Sequence, residues 1–317
     1  MREKILINEV GLRDGLQNQS VIVSTADKLR LFDALVRAGV QHLEPVSFVH
    51  PRAVPAMADA AELTARLPLH DRSLHLTALV PNPKGYERAR DSGYRTVALV
   101  LATTDTFNQR NLNMSLPQAT QNCIDIFAHA KRDGVQTRTY ISGAFACPYE
   151  GTTPIAVTLD ITRQMIAAGA DEIAIADTIG AGNPQQMKRI LSPLIREFGA
   201  DRFFVHLHDT RGTAGALAWT AVELGIRKFD ASIGGLGGCP FAPGATGNVA
   251  TEDIVYLFEA SGFDTGIDLP ALREAVAIAA RATGKPLGGR ILSWLRAQEL
   301  RARSLQPNRN QSSAQGE

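Results

Sequence analysis

A repeated unit runs through this 317-residue chain, in which a helical segment is followed by a glycine and then by a short β-rich run. Glycine ends helices readily because it adopts the left-handed backbone conformation at their carboxyl ends. The glycines in this position are Gly39, Gly93, Gly134, Gly169, Gly199 and Gly225. With one run at the start of the chain and another after residue 72, they predict eight strands. The predicted strands span residues 4–10, 40–46, 73–80, 94–101, 135–142, 171–176, 202–208 and 228–233.

Helices between successive strands require parallel pairing through right-handed crossovers. Eight such units predict an α/β chain folded as a closed (β/α)8 TIM barrel, in which chemistry takes place at the carboxyl ends of the strands. The alternative is an open doubly wound sheet. It needs a dinucleotide-binding fingerprint after the first strand, and the sequence of residues 11–15 is not one. The first helix is predicted over residues 24–38, with Ser24 and Asp27 forming its amino-terminal cap.

The chain beyond Thr251 shows helical patterns alone. These patterns cover residues 252–260, 269–283 and 290–304. We expect the helices to pack on the barrel or against a second subunit, and we expect a homo-oligomer, a dimer. The predicted organisation is a catalytic barrel domain over residues 1–266, carboxyl-terminal helices over 267–304, and a polar, disordered tail over 305–317.

Composition excludes several classes of function. A net charge of +1 argues against a general nucleic-acid or membrane-surface protein, and no run approaches the roughly 18 apolar residues that a membrane span needs. The first residues lead directly into a strand and lack the features of a secretory or transit signal. Three widely spaced cysteines do not form a disulfide framework, so we expect a reducing, cytoplasmic location.

The seventh predicted strand carries two histidines on one face. Because side chains alternate along a strand, Phe204, His206 and His208 point one way and their neighbours point toward the covering helices. Two imidazoles near the carboxyl end of a barrel strand can both reach one metal ion. The alternative is that both histidines are structural, as a lone barrel histidine usually is.

Charged residues also follow three other strands. Arg13 and Asp14 lie between glycines after the first strand, Glu44 lies at the end of the second, and Asp177 lies at the end of the sixth. Asp14 could be a third metal ligand, and Arg13 could bind a carbonyl or carboxylate. Glu44 could pair with Arg13 or orient a ligand. Taken alone, the Arg13–Asp14 pair would be an ordinary turn, whereas a carboxylate at the top of a barrel strand favours a functional site.

A glycine-rich stretch over residues 233–248 surrounds Cys239 and ends at Asn248. We interpret it as a mobile active-site loop, because glycine lets a backbone approach a ligand closely, although a flexible surface turn is the alternative. Two imidazoles, one carboxylate and the Asn248 amide oxygen would favour Mg2+, Mn2+ or a similar octahedral ion. Cys239 would then be free to act as an acid or a nucleophile. Cys123 is predicted to be buried packing, and Cys147 to line the site structurally.

Several segments resemble 3-hydroxy-3-methylglutaryl-CoA lyases, a family of metal-dependent TIM-barrel lyases related to isopropylmalate synthase. The resemblance runs from about Ile5 to Gly266. Its motifs are residues 9–18, 47–49, 147–151, 177–180, 206–210 and 235–253. The cysteine loop with Gly247 and Asn248 is the most specific of them, whereas the first-strand motif is shared across the superfamily.

The resemblance implies a reaction and a set of residues. A carbon–carbon bond in 3-hydroxy-3-methylglutaryl-CoA, an acyl-CoA thioester, would be cleaved to acetyl-CoA and acetoacetate with a divalent metal, Mg2+ or Mn2+. The implied metal ligands are Asp14, His206, His208 and Asn248. The implied catalytic residues are Cys239, Asp177, Arg13 and Glu44, and the implied substrate-binding residues are Arg13 and Gln17.

The sequence departs from the family pattern at three places. Arg211, Gly212 and Thr213 replace the usual Tyr-Gly-Gln, Pro45 and Val46 replace small hydroxyl residues, and the segment 103–108 is uncommon. We expect these positions at the rim of the site, where they put the acyl group in question. A lyase for another 3-hydroxyacyl-CoA, such as citramalyl-CoA, is one alternative. A condensing synthase of the same superfamily and a non-catalytic metal- or CoA-binding protein are the others.

Overall fold

Eight parallel strands close into a barrel in the computed structural model, which describes residues 2–238 and 247–304. Each strand pairs with the strands before and after it in the chain, and the last pairs with the first. The strands are β1 (Leu6–Glu9), β2 (His42–Ser47), β3 (His75–Leu79), β4 (Thr96–Ala102), β5 (Gln136–Ser142), β6 (Glu172–Asp177), β7 (Phe203–Leu207) and β8 (Lys228–Ala231). All eight predicted strands are confirmed, with ends that differ by at most two residues.

Helices cover the barrel and connect its strands. They are α1 (Thr25–Arg37), α2 (Ala60–Thr64), α3 (Pro83–Asp91), α4 (Asp105–Leu112), α5 (Leu116–Asp133), α6 (Ile155–Ala168), α7 (Pro184–Phe198), α8 (Ala214–Glu223), α9 (Thr251–Ala260), α10 (Leu269–Thr283) and α11 (Arg290–Ser304). The Ser24 hydroxyl caps α1 by accepting from the Asp27 N–H at 3.1 Å, as the sequence predicts. The predicted fold class, a TIM barrel with extra carboxyl-terminal helices, is confirmed.

The alternation along β7 separates an inner layer from an outer one. Phe203, Val205 and Leu207 are buried in the large core between the barrel and its helices. Phe204 faces the other way and packs inside the barrel against Tyr140 and other inward side chains. His206 lies on the same inward face, so the predicted direction of the two faces is confirmed.

An irregularity in β2 corrects the expectation for Pro45 and Val46. Leu43 pairs with Leu76, but Val46 pairs with Ala78, so two residues of β2 stand opposite one residue of β3. Proline has no N–H to donate and is therefore suited to such a bulge. Val46 turns outward into the helix-covered core instead of lining the rim. The bulge leaves both Glu44 and Ser47 buried on the inner side.

The late helices pack beside α1 and against the carboxyl end of the barrel. The Asp268 N–H donates to the Ala38 carbonyl at 2.8 Å, which ties the start of α10 to the end of α1. The Glu252 carboxylate accepts from the N–H groups of Gly234 and Gly289, which joins α9 to the loop after β8 and to the loop before α11. A domain division at residue 266 stays a prediction, and residues 305–317 lie outside the described residues. None of the helices within 2–238 and 247–304 combines the length and hydropathy that crossing a bilayer would need.

Candidate active site

A short π-helical turn over residues 11–15 positions Arg13 and Asp14 at the carboxyl end of β1. Its two glycines are required by close packing. A Cβ on Gly11 would lie 2.5 Å from Oε1 of Glu9, and a Cβ on Gly15 would lie 2.8 Å from the Cβ of Leu236. Tight seating against these neighbours fixes the direction in which Arg13 and Asp14 project, which the sequence motif alone did not reveal.

Asp14, His206 and His208 form a compact group of potential metal ligands. One ligand atom from each lies within 4.8 Å of those of the other two, and Nε2 of His208 is 4.0 Å from Oδ2 of Asp14. Both histidines are buried, and Asp14 is partly exposed. Asp14 lies in the turn after β1, His206 lies on β7 and His208 follows that strand directly. The two strands are close because only β8 separates them in the closed barrel.

Asn248 completes this group. Its backbone bridges to His208, and its Nδ2 donates to Oδ2 of Asp14 at 2.7 Å and to the Leu236 carbonyl at 3.1 Å. Its Oδ1 is buried and accepts no hydrogen bond from any described group. An unsatisfied buried oxygen is costly in a folded protein, and a bound cation would satisfy it. The four side chains therefore offer two nitrogen and two oxygen donors, a set that fits a divalent cation.

Electrostatic interactions keep the Asp14 carboxylate ionised. Burial favours its neutral form, but the charge of Arg13, the two histidines and the Asn248 amide together lower the pKa of Asp14 to about 2. Nη1 of Arg13 donates to Oδ1 of Asp14 at 2.6 Å. The carboxylate is thus available as an anionic ligand across the physiological pH range.

Glu44 pairs with Arg13, one of the two roles considered from the sequence. Nε of Arg13 donates to Oε1 of Glu44 at 2.5 Å, and the Tyr140 hydroxyl donates to Oε2 at 2.8 Å. Burial raises the pKa of Glu44, while the charge of Arg13 opposes that change. The guanidinium is therefore held between two carboxylates, which orients its remaining N–H groups.

Asp230 supports the metal-ligand group and was missed by the sequence analysis. Its Oδ2 lies 3.1 Å from Nδ1 of His206, and its Oδ1 accepts from Nδ2 of Asn8 at 2.8 Å. Burial opposes protonation of His206, but this hydrogen bond and the negative charges of Asp230 and Asp14 raise the pKa of His206 overall. The sequence shows only that Asp230 lies on the strand after β7, whereas its pairing with His206 across the two strands is seen in the structure.

Asp177 lies next to the group but is bound within its own turn. Its Oδ1 accepts from the Ala181 N–H at 2.8 Å and its Oδ2 from the Gly182 N–H at 2.9 Å. Burial raises the pKa of Asp177, with the two N–H groups acting in the opposite direction. The cavity wall includes Ala176 and Thr178 on either side of Asp177.

A cavity of about 690 Å3 opens beside these residues at the carboxyl end of the barrel. Its wall includes Arg13, Asp14, Gln17, His206 and His208. Gln17 presents a buried Oε1 that accepts no hydrogen bond from a described group. The volume is in the range usual for small-molecule sites.

The three cysteines differ in position. Cys123 is fully buried in the core, and Cys147 is buried beside Thr104, with its Sγ 3.1 Å from the threonine hydroxyl. Cys239 lies outside the described residues. Gly238, which precedes it in the chain, lines the cavity, and its carbonyl accepts from Nδ2 of Asn18 at 3.1 Å.

The other two departures from the family pattern have structural explanations. Nη1 of Arg211 donates to the carbonyls of Ile179 and Gly180, so this arginine fastens the turn that follows β6. In the segment 103–108, Asn108 is buried and bonds to both backbone groups of Ala102, which fixes the start of α4. Phe107 from this segment lines the cavity.

The fold and the site together define a (β/α)8 barrel protein with a metal-ligand group at the carboxyl ends of its strands. A family model described as HMGL-like matches residues 4–278. The chain belongs to the HMGL-like family.

Individual relatives agree with this assignment. The chain is 39% identical over 290 residues to a hydroxymethylglutaryl-CoA lyase of Bacillus subtilis, a match that covers 92% of this chain and 97% of the relative. It is 38% identical over 295 residues to a 3-hydroxy-3-isohexenylglutaryl-CoA/hydroxymethylglutaryl-CoA lyase of Pseudomonas aeruginosa, covering 93% of this chain and 98% of that one. A crystal structure of hydroxymethylglutaryl-CoA lyase from Pseudomonas aeruginosa superposes with a TM-score of 0.89 at 38% identity, covering 94% and 99% of the two chains.

Proposed function

We propose that this protein is a 3-hydroxy-3-methylglutaryl-CoA lyase, which cleaves its substrate to acetyl-CoA and acetoacetate. The proposal rests on one observation: the ligand atoms of Asp14, His206 and His208 lie within 4.8 Å of one another at the cavity wall. Beside them lies the amide oxygen of Asn248, which accepts no hydrogen bond from a described group. The family match over most of the chain, and relatives that are named as lyases, support it.

The proposed cofactor is one divalent cation, Mg2+ or Mn2+, held by Asp14, His206, His208 and Asn248. When bound, it would supply Lewis acidity to the oxygen atoms of the substrate. Arg13 lines the same cavity, and its guanidinium is already oriented by Glu44. We assign Arg13 and Gln17 to substrate binding.

The proposed reaction begins with removal of the proton from the 3-hydroxyl group, for which we assign Asp177. Each Asp177 oxygen accepts one backbone N–H and keeps a second lone pair for a proton. The O–H electron pair becomes the new carbonyl of acetoacetate, and the pair from the broken carbon–carbon bond passes to the thioester enolate of acetyl-CoA. Arg13 stabilises the negative charge on that enolate.

We assign Cys239 as the acid that delivers a proton to the enolate carbon. The proton taken up by Asp177 returns to the Cys239 thiolate through solvent, so each turnover restores both groups. The position of Gly238 at the cavity wall supports this assignment.

A related substrate with a longer group at carbon 3 is the second candidate. Leu79 on β3 and Val100 on β4 line the cavity and give an apolar wall on the strands across the barrel from β7. One relative is named for a 3-isohexenyl substrate as well as for the methyl one. An apolar wall opposite the metal ligands is suited to receive an alkyl group of either length.

The test is turnover of a panel of 3-hydroxy-3-alkylglutaryl-CoA thioesters by the purified protein, with Mg2+, with Mn2+ and with a chelator. We expect acetyl-CoA release that requires the cation.

Cys239→Ala should reduce kcat by about 10^3-fold or more, because enolate protonation then depends on water. The substrate dissociation constant should stay within about twofold of that of the unaltered protein. Cys123→Ala, at a cysteine buried in the core, is the matched control and should keep turnover. Turnover without any cation, or an undiminished kcat in Cys239→Ala, would contradict the proposal.

A further inference from the structure

A CoA thioester is strongly anionic at its nucleotide end, and the proposed function, on which this inference rests, requires the protein to bind such a molecule. Phosphate groups are recognised in proteins chiefly by arginine and lysine, with arginine favoured where two N–H groups can bond at once. Cationic side chains at the cavity wall are therefore the candidates for contacts to the nucleotide end.

Two arginines, Arg13 and Arg110, and no lysine occur among the described residues that line the cavity. Arg13 is buried and is paired with Glu44 and Asp14, next to the metal-ligand group. Its charge is balanced by these two carboxylates. Arg110 is exposed and lies on the part of the wall contributed by α4 and the residues after it.

Hydrogen bonds fix the helix that carries Arg110, while the guanidinium N–H groups can still bond to a ligand. The Thr104 hydroxyl caps α4 by accepting from the Phe107 N–H, and Asn108 ties the same helix to β4. The guanidinium carbon lies 5.9 Å from the centre of the Tyr149 ring, a cation–π distance that orients the group without using its N–H donors. Within residues 2–238 and 247–304, the Arg110 side chain makes this ring contact and no hydrogen bond or ion pair.

The residues next to Arg110 suit the rest of a CoA molecule. Asn111 and Asn113 are exposed, line the same wall and carry amide groups. Asn113 adopts a left-handed conformation with φ of 54° and ends α4, which turns the chain back along the cavity. Amide side chains can hydrogen-bond to the two amide groups of the pantetheine arm.

We propose that Arg110 binds a phosphate group at the nucleotide end of the CoA thioester and that it contributes to substrate binding but not to bond cleavage. The phosphate is either the 3′-phosphate or the diphosphate, which present the same chemistry to a guanidinium. Because this contact is equally strong in the substrate and in the transition state, its loss affects KM and leaves kcat nearly unchanged.

The experiment compares Arg110→Ala with the unaltered protein on three thioesters of the same acyl group: CoA, dephospho-CoA and pantetheine. We expect the variant to raise KM for the CoA thioester about tenfold, the loss of one charge-assisted contact at an exposed position. KM for the pantetheine thioester, which has neither phosphate group, should be unchanged. With dephospho-CoA, a retained effect identifies the diphosphate as the contact and a lost effect identifies the 3′-phosphate.

Two matched variants serve as controls. Arg110→Lys keeps the charge and should recover most of the affinity. Arg88→Ala removes another exposed arginine, which lies over the Phe48 ring at 5.1 Å but does not line the cavity, and it should leave all three KM values unchanged. Calorimetric titration of the same variants with CoA alone gives a readout that does not depend on turnover.

An equal rise in KM for the CoA and pantetheine thioesters would overturn the inference, because it would mean that Arg110 only shapes the cavity. An unchanged KM for the CoA thioester would overturn it as well. Failure of the proposed function is distinguishable from both results, since the unaltered protein would then cleave none of the three thioesters.

Discussion

At the scale of single residues, the site depends on side chains that orient other side chains. His206 can present Nε2 toward Asp14 because its Nδ1 is held by Asp230, and Asp230 is in turn held by Asn8. Partners of this kind fix both the tautomer and the ring orientation of a metal-binding histidine. Asp230 is fully buried and needs these contacts, because an unpaired buried carboxylate is costly.

Asp230→Asn tests this chain of contacts. An amide at position 230 offers only one acceptor oxygen to two potential donors, Nδ1 of His206 and Nδ2 of Asn8, so one contact is lost. We expect the affinity for Mn2+, measured by calorimetry, to fall by about 10- to 100-fold. Asp171→Asn, at a carboxylate that bonds to Thr137 near the opposite end of the barrel, should leave the affinity unchanged. Equal Mn2+ affinity in the unaltered protein and Asp230→Asn would rule out the orienting role.

Residues differ in how far the sequence could predict them. His206, His208, Asp14 and Asn248 could be selected because each is a ligand type placed at the end of a predicted strand or in a glycine-rich motif, and the structure brings them together. Asp230 was not selected, because a mid-strand carboxylate is recognised as functional only when its partner across the strands is known. Pairing between neighbouring strands depends on register, which the alternation of side chains does not determine.

At the scale of elements, the eight strands and their helices could be predicted because buried β-rich runs and terminal glycines are local signals. The π-helical turn over residues 11–15 could not, because its shape results from contacts with distant segments. Oε1 of Glu9 accepts from the N–H groups of Gly11 and Ile233, and its Oε2 accepts from the Thr251 hydroxyl. One buried side chain thereby joins the turn to the loop after β8 and to the start of α9.

Glu9→Gln tests that junction. Three donors point at the Glu9 carboxylate, and an amide would turn an NH2 group toward at least one of them. We expect the free energy of unfolding in urea to fall by about 1–3 kcal/mol. We also expect weaker Mn2+ binding, because Asp14 lies in the turn that Glu9 fastens.

Glu3→Gln is the matched control, because Glu3 pairs with Arg227 through a side chain that is 61% exposed. It should change neither the stability nor the Mn2+ affinity. If Glu9→Gln behaved as the control does, the turn would have to be held by backbone packing alone.

At the scale of the whole molecule, the two ends of the barrel differ in structure. The carboxyl end carries the metal-ligand group and the cavity, while the amino end is closed by a charged and aromatic layer. There Arg138 lies over the Phe204 ring with its guanidinium carbon 3.5 Å from the ring centre, and Lys228 lies 5.2 Å from the same centre. His42 and His75, at the starts of β2 and β3, stack with ring centres 4.3 Å apart. Such a division of roles between the two ends is typical of barrel enzymes.

The burial of His42 makes the stability of the whole barrel sensitive to acid. Burial lowers the pKa of His42 from its ordinary 6.5 to about 3, and His75, Arg138 and Lys228 add to the effect. The unfolded chain therefore takes up a proton at His42 at a higher pH than the folded protein does. The contribution to stability is fully present above pH 6.5 and is lost as the pH falls from 6.5 toward 3.

His42→Gln removes this titration while keeping a side chain of similar length. Comparing urea unfolding at about pH 7.5 and about pH 5, we expect the unaltered protein to lose about 1–2 kcal/mol more than the variant does. Groups that titrate in this range and lie away from His42 contribute equally to both proteins and cancel in the comparison. His70→Gln, on an exposed loop, should follow the unaltered protein at both pH values. The same loss of stability in His42→Gln as in the unaltered protein would mean that the acid sensitivity arises elsewhere in the barrel.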